Sequence, residues 1–279
     1  MKLSTKININ STHNPRDLGG IVSSDGRSIK PKMIIRSSFL HKLSDEDIKV
    51  LSDEYHLKYD IDLRWEGEIE ENPDKEIPGC KYINLNLHDD YKFRDEHRYQ
   101  IPEDRKWLLE REKNFDGFFF YDKDGDVVKG TPNMYRGVVI NPESHIIFNK
   151  ILNLLKDLKD GSLLYHCYDG KDRTGIITMI ILLALGVDFD TIREDYLLTG
   201  YYMKNRILHE KEKYQDIDLY KLDPVMGYSK FVATDAYPTW IESAYNAIFE
   251  NYETLDNFFT NHVKFSKEDI QKLRDNCLE

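Results

Sequence analysis

Residues Tyr165–Gly175 read YHCYDGKDRTG, and the segments on either side decide what this stretch means. Upstream, GSLLYH at Gly161–His166 is an apolar run of strand length, read as a short buried strand. Downstream, Thr174–Leu185 holds the most apolar run of the chain, IITMIILLAL at Ile176–Leu185. That run is too short to span a bilayer and reads as a buried helix. The stretch is therefore a loop turning from a strand into a helix N-terminus, with Gly170 placed to let it bend.

Working outward, the same alternation recurs. MIIRS at Met33–Ser37 predicts a strand, and the next helix opens at Ser44 with Asp47 three residues on, as in a capping box. KYDIDLR at Lys58–Arg64 and KYINLNL at Lys81–Leu87 predict further strands. Ile146, Ile147, Ile151, Leu154 and Leu155 recur at helical spacing over about Glu143–Leu158. Strands alternating with helices point to an α/β fold with a mostly parallel central sheet flanked by helices. Asp188–Leu198, Asp235–Tyr252 and Ser266–Leu278 read as helices packed on that sheet, and Ser266 with Asp269 repeats the capping pattern. No Gly-, Pro- or Ser-rich linker divides the chain, so residues 1–279 read as one domain with a helical portion over about 188–279. Residues from about 89 to 137 break the rhythm with alternating charges and aromatics, as an insertion or lid near a site does. Within them DKDGD at Asp122–Asp126 is a tight turn, because its glycine is misplaced for a calcium loop and no Glu closes it.

Composition narrows the function classes. With 39 Lys+Arg against 50 Asp+Glu the net charge is −11, which disfavours nucleic acid and anionic membrane as partners. A 40% hydrophobic and 12% aromatic content supplies a sizeable core, and 32% charged residues suit a globular chain in water. The cysteines are Cys80, Cys167 and Cys277, an odd and sparse set that fits a reducing compartment. MKLSTKININ at the start has no apolar run of secretory length, so the expected location is the cytoplasm.

The loop has the parts of an anion site. A strand-to-helix turn aims several backbone N–H groups at one point. Arg173 offers a planar fork to two oxygens of a phosphate. Cys167 lies at the mouth of that cradle, where a helix end and a cation lower a thiol pKa from its ordinary ~8.5. The expected chemistry is in-line attack of Cys167 on phosphorus, a phosphocysteine intermediate, and release of phosphate by water. The amides and Arg173 balance the equatorial oxygens, so neither metal nor cofactor is called for. Cys80 follows a Pro-Gly turn and Cys277 sits in the last helical turn, and neither has a cationic loop around it.

HCYDGKDRTG resembles the signature of the cysteine-dependent tyrosine phosphatases, in particular the bacterial branch related to secreted mycobacterial and listerial tyrosine/lipid phosphatases. Asn14-Pro15-Arg16-Asp17-Leu18-Gly19-Gly20, Ile35-Arg36-Ser37-Ser38, and Ile61-Asp62-Leu63-Arg64 with Glu68 stand in the order of that branch's N-terminal motifs, and Tyr196-Leu197-Leu198 is also similar. The resemblance spans nearly the whole chain and is weakest over 89–137. It implies the protein tyrosine phosphatase fold and substrates that are phosphotyrosine proteins, phosphoinositides, or both. It makes Cys167 the nucleophile, Arg173 the phosphate clamp, and the amides from Tyr168 through Asp169, Gly170, Lys171 and Asp172 to Arg173 the cradle. His166 would orient the loop, Thr174 would hydrogen-bond the thiolate, and Lys171 would place a positive charge over the pocket, suiting multiply phosphorylated lipids. For the general acid, Asp172 matches the branch's loop aspartate, with Asp89 and Asp90 as the alternatives after the strand ending at Leu87.

Arg16, Asp17, Arg36, Asp62, Arg64 and Glu68 read as structural charges at strand ends, with Asp17 or Arg64 near enough in the pattern to touch the loop. Asp169 departs from the family, which carries a small apolar residue there; a carboxylate facing the phosphate would oppose anion binding, and one facing outward would alter substrate choice. Tyr168 reads as part of the pocket wall. The leading expectation is a protein tyrosine phosphatase that takes a phosphate ion in its loop. The rivals are a phosphoinositide or inositol-phosphate phosphatase, a non-catalytic phosphoprotein-binding module, and a sulfur-transfer or arsenate-reducing enzyme.

Overall fold

Along Ile34–Ser37 and Ser162–His166 every residue is buried, and successive side chains leave the strand on opposite faces. Ile34, Leu163 and Tyr165 join the larger hydrophobic cluster, whereas Ile35 and Leu164 join a smaller one with Ile7, Ile9, Leu51 and Leu57. Strands covered on both faces belong to a layered, mostly parallel sheet. The computed structural model describes residues 2–87, 131–204, 236 and 238–279. Its strands are β1 (Thr5–Lys6), β2 (Arg16–Asp17), β3 (Ile34–Ser37), β4 (Leu57–Asp62), β5 (Lys81–Asn84) and β6 (Ser162–His166). They form one sheet in the order β1-β2-β3-β6-β4-β5, antiparallel from β1 to β3 and parallel from there on.

The helices are α1 (Asp45–Lys49, continued by a π-helical turn at Val50–Glu54), α2 (Glu66–Glu71), α3 (Thr131–Ile140), α4 (Pro142–Asp157), α5 (Asp172–Ala184), α6 (Phe189–Tyr202), α7 (Pro238–Tyr252) and α8 (Lys267–Cys277), with a short helical turn at Leu255–Asn257 and a π-helical one at Phe258–His262 between the last two. Every residue of α5 from Thr174 to Ala184 is buried, as its unbroken apolar run requires. α4, α7 and α8 pack in the same cluster through Leu152, Leu155, Ile241, Ile248 and Leu273. Among the described residues no helix is long and apolar enough to cross a membrane.

Several expected boundaries shift for local reasons. β4 stops at Asp62, whose carboxylate accepts from the Arg64 amide at 2.9 Å and turns the chain. β5 stops at Asn84, yet the Leu85 and Leu87 amides still bond to the Asp62 and Leu63 carbonyls, so the expected reach to Leu87 follows its neighbour irregularly. Ser44 caps α1 as read, but Asp47 does not return the bond: its carboxylate accepts from the Asn10 and Ser11 amides instead. At α8 both halves of the Ser266–Asp269 box are present. The expected insertion over 89–137 ends earlier, because residues 131–137 belong to α3, which buries Tyr135, Val138 and Val139. Pro132 near its start and Gly137 within it hide that helix from a periodicity reading. The turn read at Asp122–Asp126 lies outside the described residues.

Because Leu182 is fully buried in the last turn of α5, Leu182→Ala should cost about 2–5 kcal/mol of unfolding free energy in urea titrations.

Candidate active site

Three parallel strands, β3, β6 and β4, release their chains at the same edge of the sheet, where ligand sites of α/β folds gather. Cys167 follows β6 directly and is only 3% exposed, and after four intervening residues the chain enters α5 at Asp172. The intervening loop is held by its carbonyls. The Cys167 carbonyl lies 3.1 Å from His166 Nδ1, the Tyr168 carbonyl accepts from the Phe39 amide at 3.1 Å, and the Gly170 carbonyl accepts from Asn14 Nδ2 and Arg36 Nη2, both at 2.8 Å. A trans peptide points its N–H opposite to its C=O. Pulling these carbonyls outward therefore turns the amides of Tyr168, Asp169 and Lys171 to the concave side of the loop. The helix start adds its own N–H groups, which have no partner within the helix.

Gly170 is obligatory on two counts. Its φ is +64°, and a Cβ there would sit 2.6 Å from the Ser37 carbonyl oxygen and the Ser38 amide nitrogen. Thr174, fully buried in the first turn of α5, donates its hydroxyl to Cys167 Sγ at 3.2 Å. Arg173 is gripped from β4's side by Glu68, with bonds of 2.6 and 2.7 Å to its two carboxylate oxygens. Burial alone would draw the Arg173 pKa down, but the Glu68 bonds and the neighbouring Cys167 sulfur push it up, so the guanidinium stays charged. Glu68 also accepts from the Trp65 amide, which anchors the start of α2.

Beneath the loop lies a buried charge cluster. His166 Nε2 is 3.3 Å from Asp60 Oδ1 and 3.2 Å from Asp74 Oδ2. Burial opposes charging His166, yet Asp60 and Asp74 outweigh it and raise its pKa well above the ordinary 6.5. Both ring nitrogens then carry protons, so Nδ1 donates to the Cys167 carbonyl. Burial holds Asp60 above the usual carboxylate range. Asp62 goes the other way, to about 2: against the upward pull of burial, Arg64 hydrogen bonds and the His166 charge favour its carboxylate. Arg64 bridges Asp62 and Asp74, and Asp74 also accepts from the Leu40 amide at 2.9 Å.

Asp172, the first residue of α5, is partly exposed, and its Oδ1 accepts from the Tyr135 hydroxyl at 2.7 Å. Lys171 Nζ is 3.6 Å from the same oxygen, but the lysine is 1% exposed and lies 4.6 Å over the Trp240 ring, within the wall of the fold. Asp169 and Tyr168 are half-buried, and the Tyr168 ring is 5.8 Å from Phe39. Asp89 and Asp90 lie outside the described residues. Burial pushes the Cys80 and Cys277 thiols up to about 12 each, so both stay protonated.

Two expectations need correction. Asp17 does not reach the loop, since it accepts from the Gly19 and Lys32 amides, and Arg64 is taken by Asp62, Asp74 and the Asn72 carbonyl. Arg36 and Asn14 touch the loop in their place. Lys171, expected over the pocket, is instead buried against Trp240, while Glu68 pairs with the loop arginine as a structural charge does. Asp60, Asp74 and Tyr135 went unnoticed in the sequence; the charge–apolar alternation of Lys58–Arg64 was the available hint for Asp60, and nothing local marks the other two.

A tyrosine phosphatase family profile matches residues 7–279. The chain belongs to that family. It is similar to a tyrosine-protein phosphatase of Nostoc commune, 27% identical over 179 residues that make up 64% of this chain and 52% of that protein. A shorter stretch of 34 residues, 12% of each chain, is 53% identical to the triple specificity protein phosphatase PtpB of Mycobacterium tuberculosis. The chain thus spans about half the length of the Nostoc relative and far less of the mycobacterial one.

Two measurements test this geometry. Gly170→Ala forces both a strained φ and a backbone clash, so it should weaken binding of inorganic phosphate at least ~10-fold by calorimetry. The stability supplied by charged His166 is fully present below pH 6.5 and is lost as pH rises through its raised folded-state pKa. His166→Gln should therefore flatten the decline of unfolding free energy as pH rises above 6.5.

Proposed function

We propose that this protein hydrolyses phosphate monoesters through a phosphocysteine intermediate, with phosphotyrosine in proteins as its substrate class. The single observation that carries the reading is the Thr174 hydroxyl donated to Cys167 Sγ at the floor of an amide-lined loop. A sulfur held by that hydrogen bond at the mouth of a helix N-terminus is oriented toward whatever the loop binds, and family membership agrees. In this reading phosphate oxygens bind the loop amides and the Arg173 fork, which Glu68 holds in its plane. Cys167 sulfur attacks phosphorus while the P–O bond to the leaving group breaks, and Asp172 gives its proton to the departing oxygen. Asp172 then takes a proton from the water that attacks phosphocysteine, releasing phosphate and restoring the thiolate. His166 acts through the Cys167 carbonyl as a positioning residue.

A second reading is hydrolysis of phosphoinositides, although Lys171 is buried over Trp240 in the wall of the fold and not over the pocket. The same assay separates the two. Phosphate release from a phosphotyrosine peptide and from phosphoinositide vesicles, with chelator present, should fall at least ~1000-fold in Cys167→Ser. Turnover that survives in Cys167→Ser would sink the phosphocysteine reading. Phosphate binding without turnover in the wild type would leave a recognition module.

A further inference from the structure

Asp172 does not stand free at the loop: one of its oxygens is already committed. Tyr135 is fully buried on α3, and its hydroxyl lies 2.7 Å from Asp172 Oδ1 and 2.7 Å from the Tyr196 hydroxyl of α6. A phenol has one proton to donate. Tyr135 gives its proton to Asp172, so between the two phenols Tyr196 is the donor, and the bonds run Tyr196 to Tyr135 to Asp172 Oδ1. The Tyr135 ring is fixed edge-on to Tyr196 at 6.1 Å and packs on Trp240 at 6.0 Å. Trp240 also carries the Lys171 cation on its face, so both groups that touch Asp172 are backed by one side chain of α7. Burial, then the Asp172 charge, raises the Tyr135 pKa well above its ordinary 10, so this phenol stays a donor.

We propose that Tyr135 is a positioning residue that fixes the Asp172 carboxyl, with Tyr196 behind it, so that Oδ2 alone carries the proton given to the leaving group. This inference rests on the reading of Asp172 as general acid. With Oδ1 engaged by Tyr135 and Lys171, the transferable proton resides on Oδ2. It passes to the leaving oxygen as the P–O bond breaks and the S–P bond forms, and Oδ2 recovers a proton from the attacking water. Without Tyr135 the carboxyl rotates about its Cβ–Cγ bond and turns toward Lys171 or Arg173, the cations beside it.

The test compares aryl phosphates whose leaving phenols span low to high pKa, in wild type, Asp172→Asn and Tyr135→Phe. Proton donation matters only for poor leaving groups, so a misplaced acid has a signature that general loosening of the fold lacks. Asp172→Asn should lose kcat ~100-fold or more on phosphotyrosine and far less on a dinitrophenyl phosphate. Tyr135→Phe should lose ~10-fold on phosphotyrosine and less than ~2-fold on the dinitrophenyl ester, with KM little changed. If Asp172→Asn loses activity evenly across the series, the acid assignment itself fails. If Asp172→Asn is selective and Tyr135→Phe is uniform or silent, the positioning role alone is overturned. Should Tyr135→Phe fail to fold, Tyr196→Phe serves: it frees the Tyr135 hydroxyl to rotate, and a smaller loss with the same selectivity is expected. An even loss or none in Tyr196→Phe would equally overturn the role.

Discussion

The Gly170 carbonyl, held from outside by Asn14 and Arg36, is the point on which the site depends. A loop that binds an anion must direct several amides inward, and each of those dipoles repels its neighbours when no anion is bound. Fixing the carbonyls from outside holds the amides in that arrangement beforehand, so binding carries little reorganisation. Arg36 in turn needs a counter-charge, because it is fully buried. Asp195 on α6 supplies it at 3.7 Å and also faces Arg16 at 3.5 Å. Burial, together with the like charge of Arg36, draws Arg16 down to about 10. One carboxylate shared between two buried guanidiniums is poor material for stability. It fits better as a device of register, tying β2, β3 and α6 to one carbonyl.

The second layer of control enters from β4. Glu68 holds the Arg173 fork flat, while Asp60 and Asp74 keep His166 charged under Cys167. Every one of these partners lies on β4, which is parallel to β6, or follows it. The sheet therefore supplies both the place of the loop and the charges around it, and loop and sheet edge behave as one object.

How much was readable beforehand depended on how local the signal was. Cys167, Gly170, Arg173 and Thr174 stand within one helical turn and a short loop, so their mutual placement follows from strand–loop–helix chemistry alone. The core strands and α5 were equally plain, since unbroken apolar runs such as Ile176–Leu185 have few alternatives. Partners brought by topology were not. Glu68 lies far from Arg173 in the chain, and its capping position on α2 resembles any helix start. Asp74 has no neighbours that mark it. Tyr135 was hidden because α3 opens with proline and contains glycine, so its apolar face reads as irregular. Asp17 and Arg64 sat in motifs near the loop, yet short-range bonds to Gly19, Lys32 and Asp62 claim them first.

The strand order carries a consequence for how this chain acquires its chemistry during synthesis. β6 lies between β3 and β4, although both precede it by a long stretch of sequence. β6 pairs with both β3 and β4, so the sheet closes only once Ser162–His166 has been made, through contacts distant in the chain. The strand between them is the one that carries Cys167 at its end. Completion of the sheet and placement of the loop cysteine are thus a single event, and α5 to α8, which help to bury the larger cluster, are all made after it.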